Sequence, residues 1–203
     1  FSPARGKQYE VGVKYLPADR PVSVTAALFQ LTRNRNLMQD PQHIFSQLQT
    51  GKLRSRGLEL EAKAALNQNI NATASYTYTD IRYSRDLGDK ADKRPTQVPK
   101  NMASAWLDYT FHETVLSGLK VGSGVRYVGS AWGNDRNGFK TTGFTLVDAM
   151  VSYDLARFNL PGSSLALNVQ NLFDRHYVAS CGSDSMCFWG NDRRIIATAT
   201  FQF

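Results

Sequence analysis

The stretch Arg194-Ile-Ile-Ala-Thr-Ala-Thr-Phe-Gln-Phe203 alternates apolar and polar side chains to its last residue. Ile195, Ala197, Ala199, Phe201 and Phe203 form one set, and Arg194, Thr198, Thr200 and Gln202 the other; only Ile196 breaks step. Successive side chains of an extended chain point to opposite faces, so this pattern predicts a strand with one apolar and one polar face. A run of about ten such residues matches one crossing of an outer-membrane β-barrel, with lipid on one side and lumen on the other. The terminal Phe suits the last strand of such a barrel.

The same period of two recurs along the chain and predicts nine strands. Their apolar faces carry Tyr9–Tyr15, Val22–Leu28, Leu58–Ala64, Ile70–Tyr78, Ala103–Phe111, Leu119–Tyr127, Val147–Tyr153, Leu165–Val169 and Ile195–Phe203, taken at every second residue. Short turns at 16–21, 67–69, 112–118 and 156–163 alternate with long polar segments at 33–55, 83–99, 129–143 and 174–192. Short turns on one side and long loops on the other are the outer-membrane arrangement. Aromatic residues fall at both rims: Tyr15, Tyr109, Phe111, Tyr153 and Phe203 by the short turns, and Tyr9, Tyr76, Tyr78 and Tyr127 by the long loops. These are the expected interfacial girdles.

Nine is an odd number. In one closed sheet the first and last strands would meet in parallel, whereas bacterial single-chain barrels are antiparallel with even strand counts. An open sheet would leave two unpaired edges in lipid, which is not tolerated. The chain therefore reads as the C-terminal portion of a larger barrel, over residues 1–203. A start at Phe1-Ser2-Pro3, without a basic or apolar leader, agrees with a removed signal or a piece of something longer.

Composition narrows the function classes. A mean hydropathy of −0.37 with no long apolar run argues against helical membrane crossings, but not against strands that are half polar. The net charge of +7 would suit nucleic acid, yet no basic helix or RNA-binding motif accompanies it, so no nucleic-acid partner is expected. Cationic residues crowd two long segments. Arg33, Arg35, Lys52, Arg54 and Arg56 outnumber Asp40 on one; Arg82, Arg85, Lys90, Lys93, Arg94 and Lys100 outnumber Asp86, Asp89 and Asp92 on the other. Phosphates of lipopolysaccharide at the outer rim are the expected partner, and a positive funnel for an anionic ferric chelate is the alternative. Three scattered histidines, His43, His112 and His176, have no nucleophile motif nearby, so no catalytic residue, metal site or enzymatic activity is expected.

Read in order, Lys7-Gln-Tyr-Glu-Val-Gly-Val-Lys-Tyr15, Arg56-Gly-Leu-Glu-Leu-Glu61, Val98-Pro-Lys-Asn-Met-Ala103 and Val169-Gln-Asn-Leu-Phe-Asp-Arg-His-Tyr177 resemble the TonB-dependent siderophore receptors. The likeness covers the whole chain. It is strongest to the ferrichrome and ferrioxamine (hydroxamate) branch, through Val178-Ala-Ser-Cys181, Cys187-Phe-Trp-Gly190 and Ala197-Thr-Ala-Thr-Phe-Gln-Phe203. The resemblance implies a 22-stranded barrel around an N-terminal plug, of which this chain would supply the last nine strands, with plug and early strands absent. It further implies import of a ferric siderophore, and contact with TonB through an N-terminal segment outside this chain. Iron would arrive within its chelator, so no cofactor is expected. A passive porin is the alternative function, and a soluble lipocalin-like barrel is argued against by the girdles.

Cys181 and Cys187 lie in the last outside segment, where a disulfide is expected over free thiols or an incomplete metal site. Closing so short a loop would remove about 2.4 kcal/mol of chain entropy at most, enough to shape a loop tip. Phe188 and Trp189 follow the pair directly, and Trp132, Phe139 and Tyr83 stand on neighbouring segments; these aromatics are the candidates for ligand contact. Related ferrichrome receptors carry an aromatic after the first of these cysteines. This chain has Gly182, which implies a different siderophore. Glu59, Glu61, Lys63, Asp108, Lys120, Arg126 and Asp148 face inward by parity and would line a lumen or hydrogen-bond a plug.

Overall fold

The computed structural model describes all residues except 41, 44, 86–89, 114 and 203, so the expectations for Asp86, Asp89 and terminal Phe203 lie outside it. The architecture is one antiparallel sheet of nine strands. In chain order they are β1 (Arg5–Tyr15), β2 (Val22–Gln39), β3 (Gln47–Ala65), β4 (Ile70–Arg85), β5 (Asn101–Thr110), β6 (Leu119–Val128), β7 (Phe144–Asp154) and β8 (Ser164–Gln170), closed by β11 (Arg194–Thr200). Between β8 and β11 the chain inserts a separate hairpin, β9 (Val178–Ser183) and β10 (Met186–Trp189). Every strand of the sheet pairs with its neighbour in sequence except across that hairpin, so β1 and β11 are its edges.

Register turns the sequence alternation into a continuous surface. One row runs Val24, Ala62, Ala74, Ala105, Val125 and Val147 across six strands; the next runs Ala64, Ala72, Leu107, Ser123, Ala149, Val169 and Ile195. Val11, Val13, Leu28, Leu60, Val151, Leu165 and Leu167 stand exposed on the same face. Among the described residues, buried hydrophobic side chains are confined to Ala131, Leu146, Leu155 and Cys181. The fold thus shows its apolar residues outward and buries almost none, which is stable only when lipid replaces water around it.

The opposite face is polar and internally paired. Glu61 meets Lys63, Asp108 accepts from Asn71 and pairs with Lys120, Arg126 grips Asp148, and Ser75 meets Ser104. Trp106 shares this face and lies flat over Gly122 on β6, where an added Cβ would come within 2.7 Å of the indole. The missing side chains at Gly122 and Gly124 give the ring its bed on the sheet.

Strand limits differ from the expected ones where the chain leaves the bilayer. Residues 33–39 and 47–55, read as loop, continue β2 and β3 as a long hairpin arm. Polar residues such as Arg33, Asn34, Lys52 and Arg54 occupy both faces of this arm because neither face meets lipid there, so the period vanishes although the ladder continues. The segment 174–192, also read as loop, contains the β9–β10 hairpin. At the other rim, β5 stops at Thr110 and β11 at Thr200, so Phe111 and Phe201 lie just past their strands.

Charge substitutions separate the two faces. Arg in place of Leu60 or Val151, in the complete barrel refolded into lipid vesicles, is expected to cost about 2–4 kcal/mol if placed near the bilayer midplane. Arg at Thr73 or Ser152 is expected to cost less than about 1 kcal/mol. Equilibrium urea unfolding measures both, and equal losses would refute the face assignment.

Candidate functional site

At the long-loop end of the sheet, three connecting segments are tied to one another. Arg94 and Asn137 exchange two hydrogen bonds of 2.8 Å, backbone N–H to Oδ1 and Nδ2–H to carbonyl. The Gln97 N–H donates to the Trp132 carbonyl at 3.1 Å, and Lys90 pairs with Asp135. The buried Asn134 accepts from the Gly138 N–H and donates at 2.7 Å to Asp184, at the tip of the β9–β10 hairpin. These bonds join segments 90–97, 132–138 and 178–189 into one cap.

The hairpin in this cap is held from both ends. Cys181 and Cys187 face each other across β9 and β10 and form a disulfide, with Cys181 buried. At its base, Asn171 follows β8 in the left-handed region (φ 52°), a conformation asparagine tolerates. Its side chain accepts from the Arg175 N–H and donates to the carbonyls of Arg175 and Asn191, while its own N–H donates to Asp148 on β7. Asp174, also at positive φ, caps the Arg193 N–H one residue before β11. The Asn171-Leu-Phe-Asp174 motif therefore works as a clasp that returns the chain to the sheet after the hairpin.

Of the five aromatics selected in the sequence, the structure brings two together. Phe139 and Trp189 line a cavity of about 450 Å³ with Tyr177, Phe144, Arg175, His176, Lys140 and the disulfide-bonded Cys181. The Tyr177 and Phe144 rings pack at 4.2 Å between centroids, tilted by 39°, and Gly190 leaves room for the tyrosine ring beside it. Trp132 is elsewhere: it packs under the Lys140 ammonium, 4.5 Å from ring centroid to Nζ, and lines a second recess. Tyr83 sits near Lys90 at the end of β4, and Phe188 is half exposed on β10. The sequence reading passed over Tyr177 and Arg175 as ligand candidates, although both belong to the motif it had singled out.

Arg94, one of the cations that crowd its segment, is buried. Its Nη2 donates to the Thr79 carbonyl at 2.8 Å, and its Nε lies 3.7 Å from Asp80 Oδ1. Burial lowers the pKa of this guanidinium from its ordinary value, and the neighbouring Asp80 opposes that shift. Arginine is not deprotonated in proteins, so the group keeps its charge. Among the described residues no group of three or more potential ligands could hold a metal ion.

An apolar outward face, a paired polar inner face and a loop cap carrying the cavities define the chain as a segment of an outer-membrane β-barrel. Comparison with known proteins supplies the family. Residues 1–172 match the family model "TonB dependent receptor-like, beta-barrel", and the chain belongs to that family. Its full length is 55% identical to 27% of the ferrichrome outer membrane transporter/phage receptor of Escherichia coli K12. It is 39% identical to 29% of the ferrioxamine B receptor of Salmonella typhimurium LT2. Among solved structures, the ferric-catecholate import receptor Fiu of E. coli K12 superposes with a TM-score of 0.77 at 26% identity, over 100% of this chain and 28% of that one. The unliganded ferric citrate transporter FecA shares the fold, with a TM-score of 0.81 at 22% identity over 98% of this chain and 31% of that one. The chain spans less than a third of the length of these relatives. The location is the bacterial outer membrane.

The clasp can be opened by one substitution. Asn171→Ala strands the Arg175 N–H and two carbonyls, a loss on the order of 2 kcal/mol. Amide exchange across 172–193 in the complete receptor is expected to accelerate about thirtyfold, since 1.4 kcal/mol is a factor of ten. Amides of β1–β4 are expected to be unchanged. An unaltered 172–193 segment would remove Asn171 from this role.

Proposed function

We propose that this chain is the C-terminal part of a receptor that imports a ferric siderophore, of hydroxamate type, across the outer membrane with energy delivered through TonB. The observation that carries the reading is the cavity between Phe139, Tyr177 and Trp189, held in the loop cap by the disulfide-closed hairpin. Rigid rings give contact area at low entropic cost, and Arg175, His176 and Lys140 add polar groups to orient a chelate. The ferrichrome and ferrioxamine receptors similar to this chain support the substrate class.

The rest of the protein follows from that reading. The complete barrel would have 22 strands, with β1 and β11 paired to strands outside this chain. A plug domain would sit against the polar inner face, and an N-terminal segment would contact TonB. Iron travels inside its chelator and needs no protein ligand. The protein is a transporter and not an enzyme. Phosphates of lipopolysaccharide would meet the basic outer rim.

In the complete receptor, replacing Phe139 and Trp189 together by Ala is expected to weaken ferric hydroxamate binding by on the order of 1 kcal/mol or more per ring. Fluorescence titration measures this, and unchanged affinity would return both rings to a packing role. Uptake of radiolabelled ferric hydroxamate is expected to stop when the proton-motive force is dissipated. Uptake that continued in uncoupled cells would favour a passive porin.

A further inference from the structure

Arg175 enters the aromatic cavity as a cation that is fixed in place but not neutralised. Its backbone N–H and carbonyl are both bonded to the Asn171 side chain at 2.9 Å, and its Nη1 donates to the Thr145 carbonyl on β7 at 3.1 Å. Main chain and side chain are therefore anchored separately, and the anchor of the side chain is a neutral oxygen. A peptide carbonyl does not cancel the positive charge, and a guanidinium with five N–H donors has most of them left. Phe144, which lines the cavity, shares one face of β7 with Asp148, the inner one. The cavity thus stands on the lumen side of the sheet, at its long-loop end.

The acidic groups of the surrounding segments are engaged elsewhere. Asp148 accepts from Arg126 and from the Asn171 N–H, Asp174 from the Arg193 N–H, and Asp184 from Asn134. Asp192 lies 3.2 Å from His176, and Asp135 pairs with Lys90. Among the described residues no carboxylate comes within ion-pair distance of Arg175, and none lines the cavity. Lys140, at the edge of the cavity, has the Trp132 ring as its neighbour, a contact that also leaves its charge in place.

These groups divide the work of recognition. The rings of Phe139, Tyr177 and Trp189 give contact area to a chelate of the right size, whether it is neutral or charged. A guanidinium held in one orientation distinguishes charge, because its planar fork matches a carboxylate and repels an ammonium. Partial exclusion of water from the cavity strengthens both effects.

We propose that Arg175, supported by Lys140, makes the cavity selective for ferric hydroxamates that carry a carboxylate outside their iron-binding groups. This rests on the siderophore reading of the cavity given above and narrows it to a charge class. Neutral chelates of the same size are accepted more weakly, and those ending in an ammonium are disfavoured.

Three forms of one chelate separate charge from shape: ferrioxamine B with its terminal ammonium, its N-succinyl derivative ending in a carboxylate, and the neutral methyl ester of that derivative. Fluorescence titration of the complete receptor in detergent at low salt is expected to show the carboxylate bound about tenfold more tightly than the ester. The ammonium form is expected to bind most weakly. In Arg175→Gln the ratio of carboxylate to ester affinity is expected to fall to about one, whereas Arg175→Lys retains part of the preference. Lys140→Gln, outside the clasp, is expected to lower the ratio about threefold. The clasp uses the backbone of Arg175, so amide exchange over 172–193 should match wild type in Arg175→Gln and exclude a collapsed hairpin as the cause. Equal affinity for all three forms, or tightest binding of the ammonium form, would overturn the charge selection and leave the hydroxamate reading standing. A carboxylate preference that survived in both Gln variants would overturn its assignment to these residues. Failure of all three forms to bind would overturn the hydroxamate reading, and this inference with it.

Discussion

The absence of water in the bilayer core governs this structure. Each backbone N–H and C=O there must find a partner within the protein, and only a closed ladder or a helix satisfies all of them. Among the described residues no helix is long and apolar enough to cross, so the nine-stranded ladder carries the whole requirement. With the backbone satisfied by pairing, side-chain chemistry is free to differ between faces. The outward rows from Val24 to Val147 are therefore apolar, while Lys120, Arg126 and Asp148 are charged and paired on the other side. Stability comes from matching two solvents, not from a buried centre.

Above the membrane the rules change, and the structure changes with them. The long arm of β2 and β3 keeps its ladder but loses its apolar face. The three following outside segments instead acquire buried polar groups, Arg94, Asn134 and Asn171 among them. Buried polar groups must be hydrogen-bonded, and each of these residues sends at least one bond to another segment. Asn171 links β7, β8 and the approach to β11, Asn134 holds the hairpin tip, and Arg94 is bonded to Asn137 and Thr79. The cap is thus a polar core above an apolar belt.

The belt was legible in the sequence because its physics is local. Alternation along Ile70–Tyr78 or Ile195–Ala199 follows from which solvent touches each residue, without reference to any partner strand. The nine-strand sheet, its antiparallel order and its inner charges could be read directly, and the disulfide followed from the compartment. The arm of β2–β3 was not legible, since residues such as Arg33 and Arg54 are polar on both faces and erase the period. The β9–β10 hairpin was hidden for a related reason: its strands are four to six residues long and irregularly paired. The candidate ligand residues were legible only as a list of exposed aromatics. Which of them meet depends on hydrogen bonds between segments, so Phe139 and Trp189 share a cavity while Trp132 packs with Lys140 beside the other recess. Arg94 gives no sign of its burial, because the groups that enclose it come from elsewhere in the chain.

The bonds that join the three outside segments also bear on how such a cap can diversify. A change at Asn134 strands Asp184, and a change at Asn137 strands the backbone of Arg94, so a mutation in one segment exposes a deficit in another. New ligand preferences would then be reached by paired or triple replacements, or by exchange of the whole cap on an unaltered sheet. The ladder below imposes no such condition, since its apolar positions accept one another at small cost. Drift can proceed one residue at a time in the membrane, whereas above it heredity moves in linked blocks.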